Sequence, residues 1–152
     1  MPKIQLIVGL GNPGEKFRNT YHNVGFLMMD CLVGDIGESW QSDTRGLFDY
    51  LHASQKIFLK PQNFMNDSGT SIKYGLKKFH INPENMVVIH DDTDILLGKY
   101  KLRFGGRSAG HKGVESIINA IGTPKFWRLK IGVRPTSIKI RKKASDIVLG
   151  KI

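Results

Sequence analysis

Three short patterns in this sequence hold residue types that chemistry uses, and the neighbours of each argue against its best-known use. Gly9-Leu-Gly-Asn-Pro-Gly14 fits G-x-G-x-x-G directly after an apolar run, the fingerprint of a dinucleotide phosphate cradle. A cradle needs backbone N–H donors, and Pro13 removes one. The acid expected ~20 residues later, at the end of a second strand, would have to be Asp30 or Asp35, within or just after a predicted helix. A nicotinamide enzyme is therefore disfavoured. Gly106-Arg-Ser-Ala-Gly110 matches the nucleophile elbow, whose acid and histidine follow the serine in that order. Only His111 follows Ser108, with no acid between, so a serine triad is disfavoured too. His90-Asp-Asp-Thr-Asp94 offers hard oxygen ligands but lacks the glycine and glutamate of a calcium loop, and no metal site is expected. Cys31 lies on a predicted apolar helical face and is expected as a small core residue. What remains is Asn12, His22, Asn66, Asp91 and His111. Each has a local use: Asn12 before a proline shapes a turn, and Asn66 or a histidine caps a helix. Together they flank the carboxyl ends of separate segments, where a doubly covered sheet opens a crevice.

The elements that position these residues follow from hydrophobic period. Ile4–Val8 is short, apolar and ended by Gly9, which predicts a buried strand. Val24, Leu27, Met28, Cys31 and Leu32 recur at helical spacing over about residues 23–33, closed by Gly34 and Gly37. Residues 49–53 and 56–60 form a predicted strand pair joined by Ser54-Gln55. A helix from Asn66 or Asp67 to about Phe79 buries Ile72, Leu76 and Phe79. Met86–His90 is a second buried strand, after which the run to Asp94 is expected as loop. Tyr100, Leu102 and Phe104 alternate with Lys99, Lys101 and Arg103. A glycine-rich turn leads to a helix near 112–121 with Val114, Ile117, Ile118 and Ile121 inside, and 127–133 is the last strand. The order βα(ββ)αββαβ predicts a single three-layer α/β domain, its sheet mixed but mostly parallel and covered by helices on both faces.

At 152 residues the chain fits one domain of the usual ~150. Its 40% hydrophobic and 24% charged composition is that of a globular protein. The apolar runs fall far short of the ~20 residues that cross a bilayer, and the first residues do not resemble a signal peptide. One cysteine cannot form an internal disulfide, which suits a reducing cytosol. The net charge of +10 is uneven: residues 1–98 carry a net −2 and residues 99–152 a net +12. Surplus positive charge in one half points to a polyanion, of which nucleic acid is the usual one.

Five ordered motifs carry a resemblance. Leu6-Ile-Val-Gly-Leu-Gly-Asn12-Pro-Gly14, Asn19-Thr-Tyr21-His22-Asn-Val-Gly25, Lys60-Pro-Gln-Asn-Phe-Met65-Asn66-Asp-Ser-Gly69, Val88-Ile-His-Asp91-Asp-Thr-Asp94 and Gly105-Gly-Arg107-Ser-Ala-Gly-His111-Lys112-Gly113 resemble those of bacterial-type peptidyl-tRNA hydrolase. Arg128-Leu-Lys-Ile-Gly-Val-Arg-Pro135 resembles the family's last strand, and the likeness spans about residues 4–150. It implies hydrolysis of the ester between a stalled peptide and the 3′-terminal ribose of tRNA. It also implies roles: His22 as the general base that activates water, Asp91 as the carboxylate that orients it, and Asn12 and Asn66 as holders of water or substrate. Tyr21 and Met65 line the substrate site, and His111 stands at the substrate end of the cleft. These residue types suit the chemistry. An activated ester needs no covalent intermediate, and a well-placed base contributes roughly 10²–10⁴-fold. A carboxylate on one ring nitrogen fixes the tautomer and stabilises the imidazolium that forms. No metal or cofactor is required. Arg107 and Lys112, flanking the site, are the expected phosphate contacts to the acceptor arm, with Lys99, Lys101, Arg103 and Arg141-Lys-Lys143 as further cations.

Three departures stand out. Lys112 replaces the family's usual asparagine, keeping donors but losing an acceptor and adding charge. The sequence ends at Val148-Leu-Gly-Lys-Ile152, where relatives usually continue into a further helix, and the 37–49 segment is brief. The expectation is a cytoplasmic, monomeric hydrolase domain over residues 1–152, lacking that C-terminal helix and acting on peptidyl-tRNA away from membranes. The alternative is a tRNA-binding module of the same fold with little activity.

Overall fold

Strand-length apolar runs take the centre of a seven-stranded sheet. In the computed structural model, which describes residues 3–34, 36–135 and 150, ten elements follow in order. They are β1 (Leu6–Gly9), α1 (Val24–Val33), β2 (Gln41–Asp43), β3 (Phe48–Ala53), β4 (Lys56–Pro61), α2 (Ser68–Lys78), β5 (Met86–Leu96), β6 (Tyr100–Phe104), α3 (Lys112–Ile121) and β7 (Trp127–Arg134). The sheet order is β2-β3-β4-β1-β5-β7-β6. β4, β1, β5 and β7 pair in parallel, while β2–β3, β3–β4 and β6–β7 pair antiparallel, so five of the seven strands share one direction. Among the described residues no helix is long and apolar enough to cross a membrane.

Central parallel strands are buried on both faces, which is why β1 and the first four residues of β5 read as continuous apolar runs. Leu6, Val8, Met86 and Val88 pack toward Ile72 and Leu76 of α2 and Val114 and Ile117 of α3. On the other face Ile89 and Phe58 pack toward Met29 and Val33 of α1. Burying one such side chain fully contributes about 2 kcal/mol over leaving it exposed. Ser54 and Gln55 both take positive φ, 52° and 62°, and close the β3–β4 hairpin in two residues, as the sequence predicts. Phe79 lies one residue beyond α2 and is half-buried.

Two expectations need correction. The buried stripe of α1 is Gly25, Met29 and Val33, whereas Cys31 is exposed and not a core residue. α1 is apolar nearly all round, so composition leaves its rotation open. Close packing sets it: a side chain on Gly25 would overlap the Leu10 and Ile89 carbonyls, so only glycine lets the helix settle on β1 and β5. The run Asp91–Asp94 is strand, not loop. β5 continues to Leu96 because β7 keeps pairing with it, Asp91 opposite Ile131 and Asp92 opposite Gly132. The ladder is irregular only between Asp92 and Leu96, where the Leu96 carbonyl passes close over Gly132.

β6 is an edge strand with both faces open. Tyr100, Leu102 and Phe104 are exposed, opposite Ile131, Leu129 and Trp127 of β7, while Lys101 and Arg103 lie opposite Lys130 and Arg128. Lys101 and Arg103 thereby place exposed positive charge on this sheet edge. The basic run Arg141–Lys143 lies outside the described residues.

His90, on β5, is buried beneath α3 with its ring 4.6 Å from that of His111. Its Nδ1–H donates to the Asp91 carbonyl at 2.8 Å, and Nε2 has no partner among the described residues. Burial, aided by the nearby His111, pushes its pKa down to about 3. The unfolded chain takes up a proton here as pH falls below the ordinary value of about 6.5, and the folded protein does not until about 3. Stability is therefore lost across that window. His90→Gln, which cannot titrate, is expected to flatten the fall of melting temperature between pH 7 and 4. Gly25→Ala is expected to cost about 2–3 kcal/mol in urea unfolding, from overpacking against backbone that cannot yield.

Candidate active site

The carboxyl ends of the parallel strands converge on one carboxylate. Asp91 is 1% exposed on β5 and accepts hydrogen bonds from two imidazoles. His22 comes from the 3₁₀ turn Tyr21–Asn23 that leads into α1, and its Nδ1 lies 2.9 and 2.8 Å from the two Asp91 oxygens. His111 comes from the loop ahead of α3, and its Nε2 lies 2.8 Å from Asp91 Oδ1. The two imidazole rings are 5.1 Å apart, and 69 residues separate His22 from Asp91 in the chain.

The network assigns the protons. Nδ1 of His111 accepts from the Gly113 and Val114 backbone N–H groups at 3.1 and 3.2 Å, capping α3. That nitrogen is therefore bare, and Nε2–H is the donor to Asp91. His22 donates from Nδ1, which leaves its Nε2 as a basic nitrogen with no hydrogen bond among the described residues. Burial opposes the negative charge of Asp91. The two imidazole donors outweigh it and hold the carboxyl well below the usual carboxylate range. One anion thus orients two imidazoles through opposite ring nitrogens.

His22, Asp91, His111, Arg107 and Lys112 line one cavity of about 320 Å³, together with His90 and the buried Arg128. Arg107 and Lys112 are exposed at its mouth. Asn12 lines a neighbouring cavity of about 530 Å³. It is held there by Asn23, whose side chain accepts from the Asn12 N–H and donates to its carbonyl, each at 2.8 Å. Asn12 Oδ1 accepts from the Met65 N–H at 2.8 Å, so its amide N–H₂ is the end that can donate to a ligand. Met65 is buried, with its sulfur against Gly113 at the start of α3, and lines neither cavity. Asn66 also lines neither; it is exposed in the 3₁₀ turn Met65–Asp67, and its side chain caps nothing. Tyr21 is half-buried, its backbone N–H bonded to the Gly150 carbonyl at 3.1 Å.

Sequence reasoning missed Asn23, His90 and Arg128. Asn23 and His90 stand beside singled-out residues and carry polar groups on buried segments. Arg128 gives no such sign, since an arginine in an alternating strand reads as solvent-facing. His22, Asp91 and His111 also present ligand atoms within 4.8 Å of one another, the one such cluster among the described residues. The contacts to Asp91 have N–H···O lengths, so an ion bound there would have to displace two protons.

Comparison with known proteins gives the family. The family model described as peptidyl-tRNA hydrolase matches residues 6–152. Peptidyl-tRNA hydrolase of Lactobacillus delbrueckii subsp. bulgaricus is 44% identical over 137 residues, covering 86% of this chain and 72% of the relative. That of Aquifex aeolicus is 42% identical over 149 residues, covering 95% and 74%. The crystal structure of peptidyl-tRNA hydrolase from Acinetobacter baumannii superposes with a TM-score of 0.88 at 35% identity, covering the whole of this chain and 78% of that one. By the family model, the curated relatives and the shared fold, the chain belongs to the peptidyl-tRNA hydrolase family.

Proposed function

We propose that this protein hydrolyses the ester between the peptide and the 3′-terminal ribose of peptidyl-tRNA, with His22 as general base. The observation that carries this is the His22 Nδ1–Asp91 contact of 2.8 Å, which commits one ring nitrogen and leaves Nε2 to take a proton. In the reaction Nε2 accepts a proton from water as the water oxygen attacks the ester carbonyl. Asp91 stabilises the imidazolium that forms. Donors then support the tetrahedral oxyanion, and Asn12 offers its amide N–H₂ for this. Collapse of the intermediate expels the ribose 3′-oxygen, which recovers the proton from His22. Every atom and proton is balanced without a metal or a covalent enzyme intermediate.

His111 acts on this reaction through Asp91, sharing its charge and closing the substrate end of the cleft. Tyr21, on the turn that carries His22, faces the substrate. Met65 is buried in the core and acts through the hydrogen bond from its N–H to Asn12, and Asn66 stays on the surface outside both cavities. Arg107 and Lys112, at the cavity mouth, and Lys101, Arg103 and Lys130, on the adjoining sheet edge, hold phosphates of the acceptor arm. Contacts of that kind are sequence-independent, as an enzyme acting on many tRNAs needs. An exposed single cysteine fits a reducing compartment, and we take the enzyme to work as a cytoplasmic monomer.

His22→Ala is expected to lower kcat for peptide release from peptidyl-tRNA by roughly 10²–10⁴-fold while tRNA binding persists. Unchanged turnover would remove His22 from the mechanism. Wild-type protein that binds tRNA without cleaving it would favour a binding module instead. Arg107→Gln is expected to weaken binding of all tRNAs alike and to reduce the slope of log affinity against log salt by about one. An unaltered slope would take Arg107 out of the interface.

A further inference from the structure

Among the described residues Arg128 is the largest fully buried side chain, with 1% of its surface exposed. It has no carboxylate within ion-pair reach among the described residues. Its neighbour across the β6–β7 ladder is another cation, Arg103. A buried, uncompensated guanidinium is costly, so its hydrogen bonds deserve an account. Nη1 donates to the Arg107 carbonyl at 2.8 Å and Nη2 to the Pro124 carbonyl at 3.0 Å. The guanidinium also lies 4.5 Å from the centre of the Phe126 ring, which is fully buried.

The chain that Arg128 grips is the one that presents His111. Gly105, Gly106, Ala109 and Gly110 all have positive φ, at 72°, 94°, 51° and 83°. A segment so rich in glycine has many conformations to lose, and needs ties to hold one. Among the described residues its hydrogen bonds to the sheet side are two: Gly105 N–H to the Phe126 carbonyl at 3.0 Å, and the Arg107 carbonyl to Arg128. The remaining bonds, Gly110 and His111 N–H to Ser108, are internal to the loop. His111 then reaches Asp91, which holds His22.

We propose that Arg128 is a positioning residue for the reaction. Its guanidinium fork bridges the Arg107 and Pro124 carbonyls, holding the Gly105–Gly110 loop so that His111 meets Asp91 and the Asp91–His22 pair is fixed. The proposal rests on His22 as the base. A planar fork serves here because two carbonyls on different segments must be held at a set separation, which a single ammonium cannot do.

The test is Arg128→Lys in the full chain, followed by kcat and KM on peptidyl-tRNA at two salt concentrations and by proton NMR of the hydrogen-bonded His111 Nε2–H. The expected result is kcat lower by about tenfold, KM within about twofold, and the His111 signal lost to exchange with water. Unchanged kcat would overturn the proposal. So would a raised, salt-dependent KM at constant kcat, which would make Arg128 a phosphate contact. A lower melting temperature with kcat and signal intact would reduce it to fold support. Should Arg128→Lys not fold, Phe126→Leu removes the ring beneath the guanidinium, and a smaller change in the same direction is expected; no change would overturn the proposal. The NMR signal reports on the loop whether or not His22 is the base. A His22→Ala enzyme that stays active therefore contradicts the proposed base, while the signal still tests the loop.

Discussion

A buried carboxylate between two imidazoles is the constraint to which the rest of this molecule answers. Taking a charge out of water is unfavourable unless donors replace the solvent, and Asp91 has only side chains from distant segments to do so. His22 must arrive from the entry to α1 and His111 from the entry to α3, on either side of β5. Each ring then has one nitrogen committed to the acid, and what its other nitrogen does differs. His111 spends its second nitrogen capping α3, so it is anchored at both ends. The second nitrogen of His22 has no hydrogen bond among the described residues, which is what the proposed base requires. Hydrogen bonding alone thus distinguishes the two histidines.

The fold supplies what that arrangement needs. Asp91 sits on a strand rather than on a loop, paired there with Ile131 of β7 just beyond the end of the β1 ladder, so its carboxylate is placed by the backbone. The glycines at positions 9 and 25 let α1 lie against β1, which brings the His22 turn over the sheet end. Asn12 is locked by reciprocal bonds with Asn23 and by the Met65 N–H, tying the end of β1 to the start of α2. Positive charge on β7 reaches the cavity itself, since Arg128 and Lys130 line it, while Lys101 and Arg103 lie opposite them on the edge strand β6.

Much of this was legible in one dimension. Strand and helix periods recover every major element except the three-residue β2, whose Gln41-Ser-Asp43 has no apolar alternation to reveal it. The ordered motifs brought His22, Asp91 and His111 into one list, and the structure places all three in contact. The rotation of α1 was not legible, because a helix apolar on most sides offers several equivalent stripes and close packing at Gly25 chooses among them. The length of β5 was missed because Asp91–Asp94 is too polar to read as strand, although partner β7 supplies its ladder bonds. Burial of Arg128 is likewise a property of what lies above it, the loop before α3, and leaves no local mark. Asn66 and Met65 share a motif, yet one faces solvent and the other the core, a distinction set by the turn between them.

The central claim concerns where protons sit at rest, and nitrogen-15 NMR of the imidazole side chains near neutral pH reads this directly. The account predicts His22 as the Nδ1–H tautomer and His111 as the Nε2–H tautomer, both coupled to Asp91. Finding His22 protonated on Nε2 instead would leave no lone pair facing the water to be activated, and would contradict the mechanism at its first step.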